Sequence, residues 1–236
     1  MNAASSRRLA AEAIGSALLL AAVVGSGIMG QRLAGGNVAI ALLANSIATG
    51  AALIAIITTF GPISGAHLNP AVTLSIATTR GIAWTMVPGY VLAQVGGAVA
   101  GVAMAHVMFA EPLVALSQQA RAGSGQGFSE FVATFGLLIV IGVCGRQRPA
   151  DVPVAVGAYI TGAYWFTAST SFANPAVTIA RTLTDTFAGI APADAPGFIA
   201  GQLCGAAAAT MLFRWLVPSL PERADNVVVP RAASRI

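Results

Sequence analysis

Long apolar stretches dominate the chain, and its polar residues gather between them. Six stretches, at 9–30, 38–60, 84–109, 128–145, 152–170 and 196–218, are long enough as helices to cross the bilayer's hydrocarbon core. At about 1.5 Å per residue, roughly 20 residues cover that core of about 30 Å. They predict six membrane-spanning α-helices, and the short alternating segments of a β-barrel are absent. Two further apolar segments, at 69–80 and 174–185, cannot span. About 11 helical residues rise roughly 16 Å, half of the hydrocarbon layer. Irregular backbone at membrane depth survives only where protein buries it or water solvates it. These segments therefore predict re-entrant half-helices, each preceded by an extended loop.

Each half-helix opens on the same tripeptide, Asn69-Pro70-Ala71 and Asn174-Pro175-Ala176. Asn is a strong N-cap, and Pro fits the first helical position, where a missing N–H costs nothing. The surroundings repeat too. Glu12 in the first span matches Glu130 in the fourth, and Pro88-Gly89-Tyr90 with Gln94 matches Pro196-Gly197-Phe198 with Gln202, 108 residues later. Each half reads as span, span, half-helix, span. Three full spans is an odd number, so the second half enters the membrane inverted, and the half-helix tips meet near the midplane. The chain divides into a first repeat at 1–110, a connecting loop at 111–127, a second repeat at 128–218 and a polar tail at 219–236.

Charge fits this topology. With both termini cytoplasmic, nine arginines (7, 8, 80, 146, 148, 214, 223, 231 and 235) lie on the cytoplasmic side and three (32, 121 and 181) outside, as the positive-inside rule requires. The run after Arg7-Arg8 is too long for a signal peptide and reads as a retained span. Only 8% of residues are charged and 56% are hydrophobic, against about 25% charged in soluble domains. The net charge of +4 comes from arginines scattered between apolar segments. No basic face exists for nucleic acid. Two distant histidines and no cysteine cluster argue against a metal site, and Cys144 and Cys204 read as ordinary buried thiols. No nucleophile elbow or phosphate loop marks an enzyme, and no cofactor is implied.

With both tripeptides and the inverted halves in place, the chain resembles the aquaporin, or major intrinsic protein, family. The run from Ser64 to Thr73 is close to the family signature, and His67 belongs to it. The resemblance implies an all-α membrane fold of six spans and two half-helices. It also implies a passive pore for water and small neutral solutes, and a homotetramer in the plasma (inner) membrane. Asn69 and Asn174 would donate to a passing oxygen, and the half-helix ends would repel desolvated cations. Glu12 and Glu130, costly in lipid, would face inward and accept from the loops' N–H groups. A proton relay through them lacks an intramembrane basic partner. His67 either lines the cytoplasmic vestibule or packs as a hydrogen-bonded core residue; His106 reads as interfacial. The glycines and alanines of the third and sixth spans allow close helix packing, and Trp84 and Trp215 read as interfacial anchors.

Family members select solutes at four positions, which carry over to Thr49, Gly162, Ser171 and Val177. Most members have Arg directly after the second Asn-Pro-Ala, where this chain has Val177. Water-selective members tend to have an aromatic residue and a His where this chain has Thr49 and Gly162. The smaller groups predict a wide constriction without fixed charge. Arg181 lies about two turns past Asn174, a distance that predicts it does not replace the missing group at the same depth. Whether Trp165 or Phe166 refills the space stays open. A wide, weakly polar filter favours glycerol, urea and undissociated metalloid acids, and it resembles that of bacterial aquaglyceroporin-like members associated with arsenic resistance. Trivalent and methylated arsenicals thus rank above glycerol. The alternatives are a water-selective channel, a coupled secondary transporter and a non-conducting structural protein.

Overall fold

The structure is a computed structural model in which residues 3–216 are described. The polar tail expected at 219–236, and the last two residues of the sixth expected span, lie outside the described residues. Among the described residues there are eight α-helices: α1 (Ala3–Leu33), α2 (Val38–Ser64), α3 (Pro70–Thr78), α4 (Val87–Phe109), α5 (Ser124–Gln147), α6 (Val152–Phe166), α7 (Pro175–Arg181) and α8 (Ala195–Leu216). Five are long and apolar enough to cross a membrane: α1, α2, α4 with the 3-10 turn leading into it, α5 and α8.

The fifth expected span, 152–170, is shorter than its hydropathy predicts. Helix α6 has 15 residues and ends at Phe166. Thr167 takes an extended conformation there, and its Oγ1 donates to Ala163 O at 2.6 Å. The following residues already belong to the loop that drops to α7. The half-helices are also shorter than the apolar segments holding them, with 9 residues in α3 and 7 in α7.

Three close helix crossings hold the bundle. A Cβ at Gly97 of α4 would lie 2.1 Å from Ala13 O of α1. A Cβ at Gly205 of α8 would lie 2.4 Å from Phe131 O of α5. These glycines are 108 positions apart, so the α1–α4 contact recurs as α5–α8. The third crossing joins the halves: a Cβ at Gly50 of α2 would meet Gly157 O of α6 at 2.8 Å, and one at Gly157 would meet Gly50 O at 2.7 Å. That reciprocity is the mark of a two-fold relation between the halves. In lipid, where apolar surface gains nothing by leaving solvent, such backbone approach is what drives helices together.

The stretch after α4 is anchored. Ala115 N and Ser117 N donate to Leu183 O and Thr182 O, and Ala191 N donates to Gln119 O. His106 is not interfacial, as its position near a helix end predicts, but buried. Its Nδ1 lies 3.1 Å from Leu113 O and its Nε2 lies 2.8 Å from Thr184 Oγ1, which ties α4 to this strap and to the turn after α7.

Candidate functional site

The site grows from two loops, 65–69 between α2 and α3 and 167–174 between α6 and α7. Both contain non-glycine residues in the left-handed region, in the same register: Ala66 (φ 45°) and Leu68 (φ 51°), then Ser171 (φ 51°) and Ala173 (φ 49°). The loops are therefore not simply extended. Each such residue costs of order 1–3 kcal/mol and persists only where surrounding structure imposes it. Two buried carboxyl groups do so. Glu12 Oε1 accepts from Ser64 Oγ (2.6 Å) and His67 N (2.9 Å), while Oε2 accepts from Leu68 N (2.7 Å) and Gln94 Nε2 (2.8 Å). Glu130 accepts from Phe172 N (2.9 Å), Ala173 N (2.8 Å) and Gln202 Nε2 (2.6 Å). Gln94 and Gln202 pass the bracing on to Thr73 and Thr178 of the half-helices at 2.9 and 2.8 Å.

Asn69 and Asn174 each perform two tasks. As N-caps, Asn69 Oδ1 accepts from Ala71 N at 2.8 Å, and Asn174 Oδ1 accepts from Ala176 N at 2.9 Å. Pro70 and Pro175 occupy the first helical turn. Their amide nitrogens then cross to the opposite loop: Asn69 Nδ2 donates to Ala173 O and Asn174 Nδ2 donates to Leu68 O, both at 2.7 Å. A primary amide has two N–H groups. One from each Asn is thus committed to the clasp, and one remains for the cavity that both residues line.

That cavity, of about 60 Å³, runs past both half-helix tips. Its aliphatic lining includes Leu53 and Ile57 of α2, Leu137 and Ile141 of α5 and Val156 and Ile160 of α6, and the loops and the two Asn contribute to the rest. His67 lines one end and also packs, with Nδ1 3.1 Å from Thr73 Oγ1 and its ring 5.1 Å from that of Tyr90. Thr49, Ser171 and Val177 line the cavity, as does Arg181. The Ser171 hydroxyl is buried and has no hydrogen-bond partner among the described residues.

Two residues sit differently around the cavity from what the sequence suggests. Gly162 is absent from the cavity wall, and a Cβ there would meet nothing within 4 Å. The cavity face of α6 is the stripe Val156, Ile160, Tyr164, spaced by four, and Gly162 sits roughly 200° around the helix from it. Tyr164 lines the cavity from α6 instead, with its hydroxyl 3.3 Å from Thr49 Oγ1. Trp165 and Phe166 are half-exposed and do not narrow the space. Gly162→Ala is expected to leave solute flux unchanged and to keep or raise thermal stability, since Ala is the better helix former by up to about 1 kcal/mol. Swelling assays on the variant beside Tyr164→Ala, which opens the wall, check the assignment.

Arg181 is the second such residue, since it lines the same cavity as Val177. It follows Val177 by four residues, so both share one helix face. Side chains on a helix lean toward its N-terminus, which brings a long arm back over the preceding turn. Arg181 is 2% exposed, and its guanidinium carbon lies 3.3 Å from the centroid of the Phe172 ring. Its Nε donates to Ala188 O. Arg121 also faces Phe172, at 5.1 Å. Its Nε donates to Gly189 O at 2.8 Å, and its backbone N donates to Asp194 Oδ2 at 2.7 Å. Burial pulls the Arg121 guanidinium below its ordinary pKa, partly offset by Tyr164 and Glu130. Spacing by four in α6 and α7 was the signal available for both Tyr164 and Arg181.

Residues 1–160 match Major intrinsic protein, a family of membrane channels. The chain belongs to this family. Aquaglyceroporin AqpS of Rhizobium meliloti (strain 1021) is 53% identical over 216 residues, covering 91% of this chain and 92% of that protein. Aquaporin NIP3-1 of Oryza sativa subsp. japonica is 35% identical over 161 residues, 66% of this chain and 51% of that protein. The X-ray structure of the aquaglyceroporin from Plasmodium falciparum superposes with a TM-score of 0.72 at 20% identity. That likeness covers 92% of this chain and 98% of the other, and it concerns the fold. As a major intrinsic protein the chain is an integral membrane channel and not an enzyme.

Proposed function

We propose that the chain is a passive channel for small uncharged solutes: water, glycerol-like polyols, urea and neutral metalloid acids, including trivalent and methylated arsenicals. The observation carrying this reading is a cavity that meets both clasped Asn residues and is otherwise lined largely by aliphatic side chains. Aliphatic walls give no ion a substitute for its hydration shell, while a neutral solute needs only the few polar groups among them. The 53% identical relative carries the name aquaglyceroporin, which supports polyols beside water.

The constriction is formed by Thr49, Tyr164, Ser171 and Val177, with one small aliphatic group where a guanidinium would narrow the path. Metalloid acids follow from the same neutral, hydroxylated chemistry. The two repeats, 1–110 and 128–218, form one pore per subunit of a homotetramer, in the inner (plasma) membrane with both termini cytoplasmic. The excess of arginines on the face assigned to the cytoplasm supports that orientation, and the exposed Trp84 and Trp215 there read as interfacial anchors.

The test is a solute panel in proteoliposomes, wild type against Val177→Arg. Wild type is expected to pass water, glycerol, urea and arsenous acid. The variant is expected to lose glycerol and arsenous acid flux several-fold while losing less water flux. Water permeation with glycerol excluded in the wild type would mean a water-selective channel. Flux that saturates and needs a sodium or proton gradient would mean a coupled transporter.

A further inference from the structure

We propose that Arg181 supplies the fixed cation of the constriction in place of the group missing at Val177, and that its free N–H groups bind the acceptor oxygens of uncharged hydroxylated solutes. This rests on the channel reading and names the chemistry of its narrowest part.

The two arginines beside Phe172 differ in what they leave available. Arg121 is spent on structure. Besides Gly189 O, its terminal nitrogens reach Ser169 O, Thr170 Oγ1 and Phe187 O, each at 3.4 Å. Arg181 commits only Nε, to Ala188 O. Neither of its terminal nitrogens has a hydrogen-bond partner among the described residues, and neither is sealed from the cavity that the residue lines. Its flat face rests on Phe172, a contact that uses the π-face and leaves the edge N–H groups free. A buried guanidinium with four uncommitted N–H groups at a cavity wall is a donor array waiting for oxygen.

The partners around it are hydroxyls. Thr49 and Tyr164 bond each other, and Ser171 Oγ is buried without a partner. Together these groups accept from and donate to a solute that carries both hydroxyl donors and acceptor oxygens and no charge. A cation entering the same space meets a full positive charge in a poorly solvated wall, which repels far more strongly than in bulk water. Exclusion of cations and capture of hydroxylated solutes thus come from one side chain, one turn beyond its expected place.

Three variants in proteoliposomes and planar bilayers test the assignment, with cation conductance measured beside water and glycerol flux. Arg181→Leu is expected to raise cation conductance about tenfold or more. Arg181→Lys keeps the charge and loses the planar fork; it is expected to stay cation-tight and to lower glycerol flux relative to water. Val177→Arg combined with Arg181→Leu moves the guanidinium back one turn and is expected to restore cation exclusion.

A folded Arg181→Leu protein that stays cation-tight overturns the proposal. So does a relocated variant that leaks as much as Arg181→Leu. If Arg181→Leu does not fold, Arg181→Lys decides, and an unchanged glycerol-to-water ratio there overturns the proposal. A wild type that passes neither water nor glycerol fails earlier, because it defeats the channel reading itself.

Discussion

Glu12→Ala is expected to abolish flux and to yield little folded protein. His67 N and Leu68 N donate to the Glu12 carboxyl at 2.9 and 2.7 Å, in a loop with no solvent to replace it. Each buried donor left unsatisfied costs about 1–3 kcal/mol. Two backbone donors alone therefore cost roughly 2–6 kcal/mol, before the losses at Ser64 and Gln94 are added. That is a large share of the roughly 5–15 kcal/mol by which folded proteins are stable. The strained residues Ala66 and Leu68 would also lose the contact that holds them. Glu12→Gln keeps the shape but turns an –NH₂ toward donors, so it should rank between wild type and Ala. Thermal unfolding in detergent and water flux in liposomes measure both. An Ala variant with wild-type melting and wild-type flux would show that the carboxyl does not brace the loop.

The second large effect is expected at Gly97→Leu, which should prevent the first half from assembling. The new Cβ would sit 2.1 Å from Ala13 O, and the obstacle is backbone rather than a side chain that can rotate. Relief requires moving α1 away from α4 along their whole crossing. Ordinary overpacking costs about 1–3 kcal/mol, and the cost here should exceed that range because no rotamer change escapes the contact. The adjacent position provides the control, since a Cβ at Gly96 meets nothing within 4 Å. Gly96→Leu should therefore give folded, conducting protein at near wild-type yield. Size-exclusion profiles of the pair decide the matter; equal profiles would mean that the close crossing is not needed for folding.

Composition and spacing made the framework legible before any coordinates. Helix length against hydrocarbon thickness separated spans from half-helices. Asn followed by Pro marked where each half-helix begins, the Glu12–Glu130 pair marked the bracing, and Gln94 and Gln202 showed only as matching positions of the repeat. Features set by direction in space were harder to read. Residue spacing put Gly162 at the filter, but rotation about α6 turns it away and presents Tyr164. Counting turns along α7 gave no sign that Arg181 lines the same cavity as Val177, although the lean of helical side chains and the length of the arm allow it. His106 showed no sequence sign of its two partners, since both lie on segments that only the tertiary fold brings near. The crossing of the Asn amides was likewise hidden, because an amide that caps its own helix has no reason in sequence to reach the other loop.

That crossing bears on biogenesis. Leu68 O and Ala173 O each find their partner on the other half of the polypeptide, so the first loop stays incomplete while the ribosome is still making the second. A nascent chain paused after α4 would carry a stray carbonyl at mid-depth, open to water or to quality-control proteases. The pore-lining backbone is therefore fully satisfied only after both halves are in place.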